Sequence, residues 1–133
     1  MADIFSYNQQ FSTIPGLTFV GGTIELASDG YTVSGDLPIE IAELVHDGTG
    51  LYTINLTHCW NDLLVAVIQT VLPTGSSPAY LDVQILENNV GEADTVDGEQ
   101  GVSFSTVIAN GTATDMDGDG AFQVLLVLKN SSA

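Results

Sequence analysis

Residues 51–56 read Leu-Tyr-Thr-Ile-Asn-Leu, and their alternation gives the first indication of the fold. The even positions Tyr52, Ile54 and Leu56 are all apolar or aromatic, whereas the odd positions are mixed. Successive side chains of an extended strand point to opposite faces, so this segment is typical of a strand that buries one face. The Asp47-Gly48 pair just before it favours a tight chain reversal.

Similar segments recur along the whole chain. Short β-branched and aromatic runs alternate with Gly, Asp, Asn and Pro, and no 3.6-residue apolar period appears. We therefore predict nine strands, near Leu17–Val20, Thr23–Ala27, Tyr31–Ser34, Ile39–Val45, Leu51–Leu56, Leu63–Leu72, Tyr80–Leu86, Val102–Ala109 and Phe122–Lys129. This pattern predicts an all-β chain folded as an antiparallel β-sandwich, with the jelly roll as one form it can take.

Two of the predicted strands are apolar on both faces, at 63–68 and 124–128. Such strands need cover from both sides: a second sheet on one, and a loop or another subunit on the other. The strand near residue 80 instead shows the half-solvated pattern of an antiparallel sheet. We expect Asp82 and Gln84 to point outward, and the inward side chains to be Leu81, Val83 and Ile85.

The first sixteen residues differ from the rest. Phe5, Tyr7 and Phe11 are spaced among polar residues before Pro15-Gly16, as in an arm that lies extended on a neighbouring molecule. We therefore divide the chain into an extended N-terminal arm, residues 1–16, and a β-sandwich domain, residues 17–133. A frayed terminus with a few aromatic residues is the alternative.

The charge balance limits the classes of partner. Seventeen acidic side chains face one basic side chain, Lys129, and the net charge is −16 over 133 residues. Such a surface repels phosphate backbones and anionic lipid, so we expect neither nucleic acid nor a membrane as a partner. The start of the chain has neither a basic nor an apolar run, which favours synthesis in a cytoplasm over secretion.

The sharpest local motif is Asp115-Met116-Asp117-Gly118-Asp119-Gly120, which matches the opening of a D-x-D-x-D-G calcium loop. The twelfth position of such a loop should be a glutamate but is Leu126 here, so the sequence excludes an EF-hand. Two interpretations remain: a partial Ca²⁺ site at Asp115, Asp117 and Asp119, and an acidic hairpin turn, which we favour. No other cofactor is expected.

We predict no enzymatic activity. His58 and Cys59 could supply a base and a nucleophile, but adjacent side chains of an extended chain point to opposite faces. No motif for a nucleophilic serine, a phosphate loop, a zinc protease or a dinucleotide is present. A hydrolase that uses His58 or a pair of acids is a remote alternative.

A family resemblance rests on three segments. Gly48-Thr49-Gly50-Leu51-Tyr52-Thr53-Ile54-Asn55-Leu56, the apolar strand Leu63–Ile68 and the closing Leu128-Lys129-Asn130-Ser131-Ser132 resemble small β-rich virion proteins of tailed bacteriophages. The resemblance covers roughly Val45 to the C-terminus. It implies a head decoration, or cement, protein that binds the outside of the capsid, often as a homotrimer, and bridges capsomers.

The sequence thus predicts a virion structural protein made in the host cytoplasm and located on the capsid exterior. Its partners would be the major capsid protein and its own copies in a homotrimer, with Phe5, Tyr7 and Phe11 as the capsid contacts. The alternative is a carbohydrate- or receptor-binding β-module of a phage fibre. In that case the three aspartates would hold Ca²⁺, and Trp60 or Tyr80 would stack on a sugar.

Overall fold

The computed structural model describes residues 16–76, 80–91 and 100–129. Seven strands lie in these ranges: β1 (Leu17–Glu25), β2 (Ile41–Gly48), β3 (Leu51–Leu56), β4 (Asp62–Val71), β5 (Asp82–Asn88), β6 (Gly101–Val107) and β7 (Ala121–Lys129). They form a three-stranded sheet in the order β1-β7-β4 and a four-stranded sheet in the order β2-β3-β6-β5. All pairings are antiparallel, and a shared apolar core joins the sheets, so the predicted antiparallel β-sandwich is confirmed.

The first two predicted strands are one strand in the structure. Gly21 and Gly22 do not interrupt β1, because it pairs continuously with β7 from Leu17 opposite Lys129 to Glu25 opposite Ala121. A side chain at Gly22 would collide with Pro38, since an added Cβ would lie 2.7 Å from the Pro38 Cγ. This glycine therefore marks a close approach within the sandwich and not a break between strands.

The predicted strand Tyr31–Ser34 is wrong. Within it only Val33 forms a β-bridge, opposite Leu26. The chain instead turns at Asp29, whose Oδ1 accepts hydrogen bonds from the backbone N–H groups of Tyr31 (2.9 Å) and Thr32 (2.8 Å). An aspartate that binds the backbone two and three residues ahead favours a turn over an extended strand.

For residues 81–85, the prediction of which side chains point outward is correct, and the prediction that Ile85 is buried is wrong. Asp82 and Gln84 are exposed and Leu81 is buried, as expected. Ile85 pairs with the buried Phe104 but is 43% exposed, because β5 is the edge strand of its sheet. An edge strand has cover from a neighbouring strand on one side alone, and the alternation in the sequence does not reveal that.

The core lies between the two sheets, and an aromatic group occupies its centre. The alternation of β3 is confirmed, since Tyr52, Ile54 and Leu56 are all buried. Tyr52 and Phe104 come from the four-stranded sheet and Phe122 from the three-stranded sheet, with ring centroids 5.1–5.6 Å apart. Edge-to-face contacts across the two sheets add to the apolar burial that holds the layers together.

No helix in the described ranges has the length and apolarity needed to cross a bilayer. The predicted arm falls almost entirely on residues 1–15, so the three aromatic contact residues Phe5, Tyr7 and Phe11 lie outside the described residues.

Candidate functional surfaces

The acidic segment between β6 and β7 is anchored to the β2–β3 turn, and the favoured interpretation of it as a hairpin turn is wrong, because β6 and β7 lie in different sheets. Asp115 Oδ1 accepts hydrogen bonds from the Gly50 backbone N–H (2.6 Å) and from His46 Nε2 (2.9 Å). Asp117 Oδ1 accepts one from the Gly118 backbone N–H, 3.0 Å away. Asp115 is therefore engaged with β2 and with the turn after it, and its carboxylate serves as a structural clamp.

The three aspartates are not gathered around one point. Across residues 16–76, 80–91 and 100–129, no group of three or more His, Cys, Asp or Glu side chains is arranged to hold a metal ion. A Ca²⁺ ion bound by Asp115, Asp117 and Asp119 would have to displace His46 and Gly50 from Asp115, or share that carboxylate with them. The calcium site stays a prediction.

His46 connects this clamp to the turn at Asp29. Its ring stacks on Tyr31, with centroids 4.4 Å apart and planes inclined by 12°, and also contacts Tyr52 at 5.3 Å. The imidazole is thus held by an aromatic ring on its face and a carboxylate on its edge. The hydrogen bond between His46 and Asp115 joins residues 69 positions apart in the sequence and fixes two connections to the end of β2.

Tyr52 carries the one polar atom of the aromatic core. Its hydroxyl donates to the Gly30 carbonyl (3.1 Å) and accepts from the Met116 backbone N–H (3.0 Å). Burial raises the pKa of Tyr52 to about 12, and the negative charges of Asp115 and Asp29 act in the same direction. The hydroxyl therefore remains protonated and ties both connecting loops to β3.

A second polar cluster surrounds Glu40. Its side chain is 8% exposed, and its Oε2 accepts hydrogen bonds from the His58 backbone N–H (2.7 Å) and Trp60 Nε1 (3.0 Å). Its Oε1 lies 2.7 Å from His58 Nδ1. The Glu40 backbone has a φ of 80°, a left-handed conformation that side-chain-bearing residues rarely adopt. Glu40 holds the loop between β3 and β4 against the sandwich.

The residues considered for catalysis or sugar binding are dispersed. His58 is 72% exposed with its Nδ1 engaged by Glu40, and Cys59 is also exposed. Trp60 is half-buried and its indole N–H is directed to the same glutamate, whereas Tyr80 is 55% exposed. Of the two aromatic residues proposed to stack on a sugar, Tyr80 alone presents a largely open ring.

The three-stranded sheet presents an apolar outer side. Its strands are in register, so the side chains that point away from the core form transverse rows. The three central rows are Phe19-Val127-Val65, Gly21-Leu125-Val67 and Thr23-Gln123-Gln69. Phe19, Leu125 and Val67 are each 41% exposed and Val65 is 46% exposed. We call these nine residues the outer apolar face.

The corresponding side of the four-stranded sheet is polar. Thr53 donates to Asp47 Oδ2 (2.5 Å) and lies 2.9 Å from the Ser103 hydroxyl, and Asn55 donates to Glu43 Oε2 (3.2 Å). The sandwich therefore has one hydrogen-bonded, charged side and one apolar side. The expectation that β4 and β7 need cover on both faces is met on the inner face by the second sheet.

Comparisons with known proteins do not assign a family. No protein-family model matches the chain, and no curated protein and no solved structure is significantly similar to it. The resemblance to phage head decoration proteins therefore stays a prediction from the sequence.

Sequence reasoning missed both polar clusters. The partners of the His46–Asp115 pair are 69 residues apart, and Glu40 is separated from Trp60 by 20. Neither spacing matches a local motif, so a single sequence carries no signal that would pair them. The sequence did predict part of the outer apolar face, because two of its strands were expected to be apolar on both sides.

Proposed function

We propose that this chain is a virion structural protein that decorates the outside of a tailed-phage head and stabilises its shell. The observation that carries the proposal is charge: seventeen acidic residues and one lysine on a small β-sandwich. Inside a filled head the chain would face packed phosphates of like charge, whereas the exterior is electrostatically open to it. A basic patch on the major capsid protein would attract this surface and orient its approach.

The architecture supports a role in which binding is the whole function. The core is filled by packed apolar side chains, and the polar clusters around Asp115 and Glu40 hold loops in place. In this proposal Phe5, Tyr7 and Phe11 contact the major capsid protein, and copies of the chain associate on the capsid exterior, as a homotrimer in the expected family pattern. The protein is made in the host cytoplasm, and no catalytic step is required.

One feature of the fold suits an added strand. β1 is an edge strand that pairs with β7 on one side, and the proposed arm, residues 1–16, precedes it in the sequence. An extended segment next to an edge strand can exchange main-chain hydrogen bonds with a sheet of another protein. Such bonds would give affinity for a capsid sheet without requiring particular side chains.

The test uses heads that are assembled from the major capsid protein of a tailed phage carrying this chain and that lack decoration. Titration with the purified protein should give saturable binding and raise the melting temperature of the shell. Replacement of Phe5, Tyr7 and Phe11 together by alanine should weaken binding, and Tyr80→Ala, at an exposed aromatic of the sandwich, is the matched control. Heads that bind no protein and keep their melting temperature would refute the proposal.

A fibre module that binds carbohydrate is the second candidate, and the open ring of Tyr80 is the observation that favours it. Calcium titration by calorimetry, followed by a glycan array, separates the two functions. Heat of Ca²⁺ binding together with sugar retention that Tyr80→Ala removes would support the fibre module. Their absence, with saturable binding to heads, would support decoration.

A further inference from the structure

The turn that follows β6 contains an Asn-Gly pair, Asn110-Gly111. Two backbone hydrogen bonds close this turn: the Ile108 N–H donates to the Thr112 carbonyl (3.0 Å), and the Gly111 N–H donates to the Ile108 carbonyl (2.8 Å). Residues 109–112 are all exposed. The pair therefore lies at a tip of the sandwich that water reaches freely.

An asparagine followed by a glycine holds the parts of an intramolecular acyl transfer. The backbone nitrogen of the glycine, once it has lost its proton, can attack the side-chain Cγ of the asparagine. The new C–N bond closes a five-membered imide, and the side-chain nitrogen leaves as ammonia. Water then opens the imide at either carbonyl, which yields aspartate or isoaspartate. Because the nucleophile and the carbonyl belong to adjacent residues, water is the only other reactant.

The geometry points to Asn110 as a site of this self-modification in the folded protein. Its Oδ1 accepts a hydrogen bond from the Thr112 backbone N–H (3.0 Å), which polarises the side-chain carbonyl and makes Cγ more electrophilic. Among the described residues, none holds the side-chain nitrogen that must leave as ammonia. The carbonyl is thus activated while the leaving group is open to solvent.

Gly111 supplies an unhindered nucleophile. It has a φ of 87°, and an added Cβ would meet no atom within 4 Å. With no side chain beside the nitrogen and open space around it, the peptide can rotate toward the Asn110 side chain. Attack requires the Gly111 N–H to leave the Ile108 carbonyl. Exposed turns open locally at a small fraction of the free energy of global unfolding, so this single bond slows the reaction without preventing it.

The other asparagines of the described ranges lack this arrangement. Each is followed by a residue whose side chain crowds the attacking nitrogen: Asn55, Asn61, Asn88 and Asn89. The side-chain nitrogen of Asn55 also donates to Glu43 Oε2. Within these ranges Asn110 should therefore react before any other asparagine.

The modification adds one carboxylate to a chain whose net charge is already −16. In the isoaspartate product the main chain also runs through the side-chain carbon of residue 110. The turn then gains a backbone atom between the bridge partners Val107 and Ala113. This inference is independent of capsid binding, because the reaction needs only the turn and water.

The test is incubation of the full folded chain at neutral and at mildly alkaline pH, followed by peptide mapping with mass spectrometry. The peptide that contains Asn110 should gain one mass unit, because water replaces ammonia, before the peptides with the other described asparagines do. The rate should rise with pH, since the deprotonated nitrogen attacks. An isoaspartate methyltransferase should label the product, whereas direct hydrolysis of the amide gives aspartate alone.

Two variants identify the reacting groups. Asn110→Gln and Gly111→Ala should each slow the reaction by at least about tenfold, which corresponds to about 1.4 kcal/mol in the activation free energy. Glutamine must close a larger ring, and alanine places a methyl group beside the nucleophile. Gly111→Ala also destabilises the turn, which by itself would speed the reaction, so a slower rate identifies hindrance at the nitrogen. Asn88→Gln, at another exposed asparagine, is the matched control and should leave the rate at Asn110 unchanged.

Circular dichroism at the start and end of the incubation verifies that each protein stays folded. An Asn110 that reacts no faster than the other described asparagines would overturn the inference. So would a product without isoaspartate, or a Gly111→Ala protein that reacts as fast as the natural chain.

Discussion

Glu40 combines an unfavourable backbone conformation with a well-satisfied side chain. A residue other than glycine with a φ of 80° carries strain of about 1–3 kcal/mol. Its buried carboxylate receives hydrogen bonds from the His58 backbone and the Trp60 indole, which together hold the β3–β4 loop. Hydrogen bonds to a charged group contribute about 1.5–3 kcal/mol each, enough to offset the strain. The side-chain hydrogen bonds of Glu40 therefore compensate for its backbone strain.

Replacement of Glu40 by alanine should lower the free energy of unfolding by about 3 kcal/mol or more, because two N–H donors each lose a bond of about 1.5–3 kcal/mol and the left-handed backbone stays. Glu40→Gly loses the same bonds but relieves the left-handed backbone, so it should be about 0.5–1 kcal/mol more stable than Glu40→Ala. Urea denaturation measures both. The control is Glu43→Ala, at an exposed glutamate with one hydrogen bond to Asn55, and a loss there equal to that of Glu40→Ala would contradict the argument.

The raised pKa of Tyr52 predicts that the folded protein loses stability at high pH. Burial raises its pKa to about 12, whereas the unfolded chain has the ordinary value near 10. A raised pKa means that the folded state holds the proton more tightly, so this contribution is complete below about pH 10 and is lost as the pH rises toward 12. Urea unfolding between pH 9 and 11.5, a range of about two units around the ordinary tyrosine pKa, should show a downward slope.

Tyr52→Phe should make that slope shallower. It should also lower stability at neutral pH by about 1–3 kcal/mol, since the Gly30 carbonyl and the Met116 N–H lose their partner inside the core. Tyr80→Phe, at an exposed ring, should leave both the slope and the neutral-pH stability unchanged. An equal slope in Tyr52→Phe and the natural protein would show that other groups govern the alkaline transition.

At the scale of elements, the β2–β3 turn shows why position decides what a glycine contributes. Gly50 has a φ of 69°, and an added Cβ would lie 2.5 Å from the Thr114 backbone N. Gly111 has a φ of 87°, but an added Cβ there meets no atom within 4 Å. The two positions share a left-handed backbone and differ in the space around it.

Gly50→Ala should therefore destabilise the protein much more than Gly111→Ala. We expect about 1–2 kcal/mol for Gly111→Ala, from the left-handed conformation alone. For Gly50→Ala we expect about 3 kcal/mol or more, because the β2–β3 turn must also move away from the segment that holds Asp115. Chemical denaturation of the two variants gives the comparison, and equal losses would mean that the turn moves at no cost.

The elements also show how far the sequence predicts this fold. The alternation in the sequence of β3 predicted its buried side chains correctly, because that strand lies inside its sheet and buries one whole face. Alternation alone wrongly predicted that Ile85 is buried, because its exposure depends on the edge position of β5. It also wrongly predicted a strand at Tyr31–Ser34, where Asp29 turns the chain. Edge position and the His46–Asp115 pair both depend on which distant segments meet, and local alternation carries no information about that.

For the whole molecule, the dominant feature is a large charge of one sign with few internal partners. In the described part of the chain, Asp115 and Glu40 each lie within hydrogen-bond distance of a histidine ring nitrogen, and no described carboxylate lies within ion-pair distance of Lys129. The remaining acids repel one another, and the folded state holds them closer together than the unfolded chain does. Repulsion among the carboxylates therefore opposes folding, and dissolved salt can screen that repulsion.

Stability should consequently rise with salt at low ionic strength. Between 0.01 M and 0.1 M NaCl the screening length falls from about 30 Å to about 10 Å, which is shorter than the width of the domain. We expect a gain of about 1 kcal/mol, or about 3–5 °C in the thermal midpoint for a chain of this length. Sucrose at equal osmolality should give almost none of this gain, because it does not screen charge.

Association of copies also raises the apparent midpoint, so the scans are repeated at two protein concentrations. The salt effect on folding is the part of the shift that does not depend on protein concentration. A midpoint that stays constant or falls over this range would show that the carboxylates are spaced too widely to destabilise the fold.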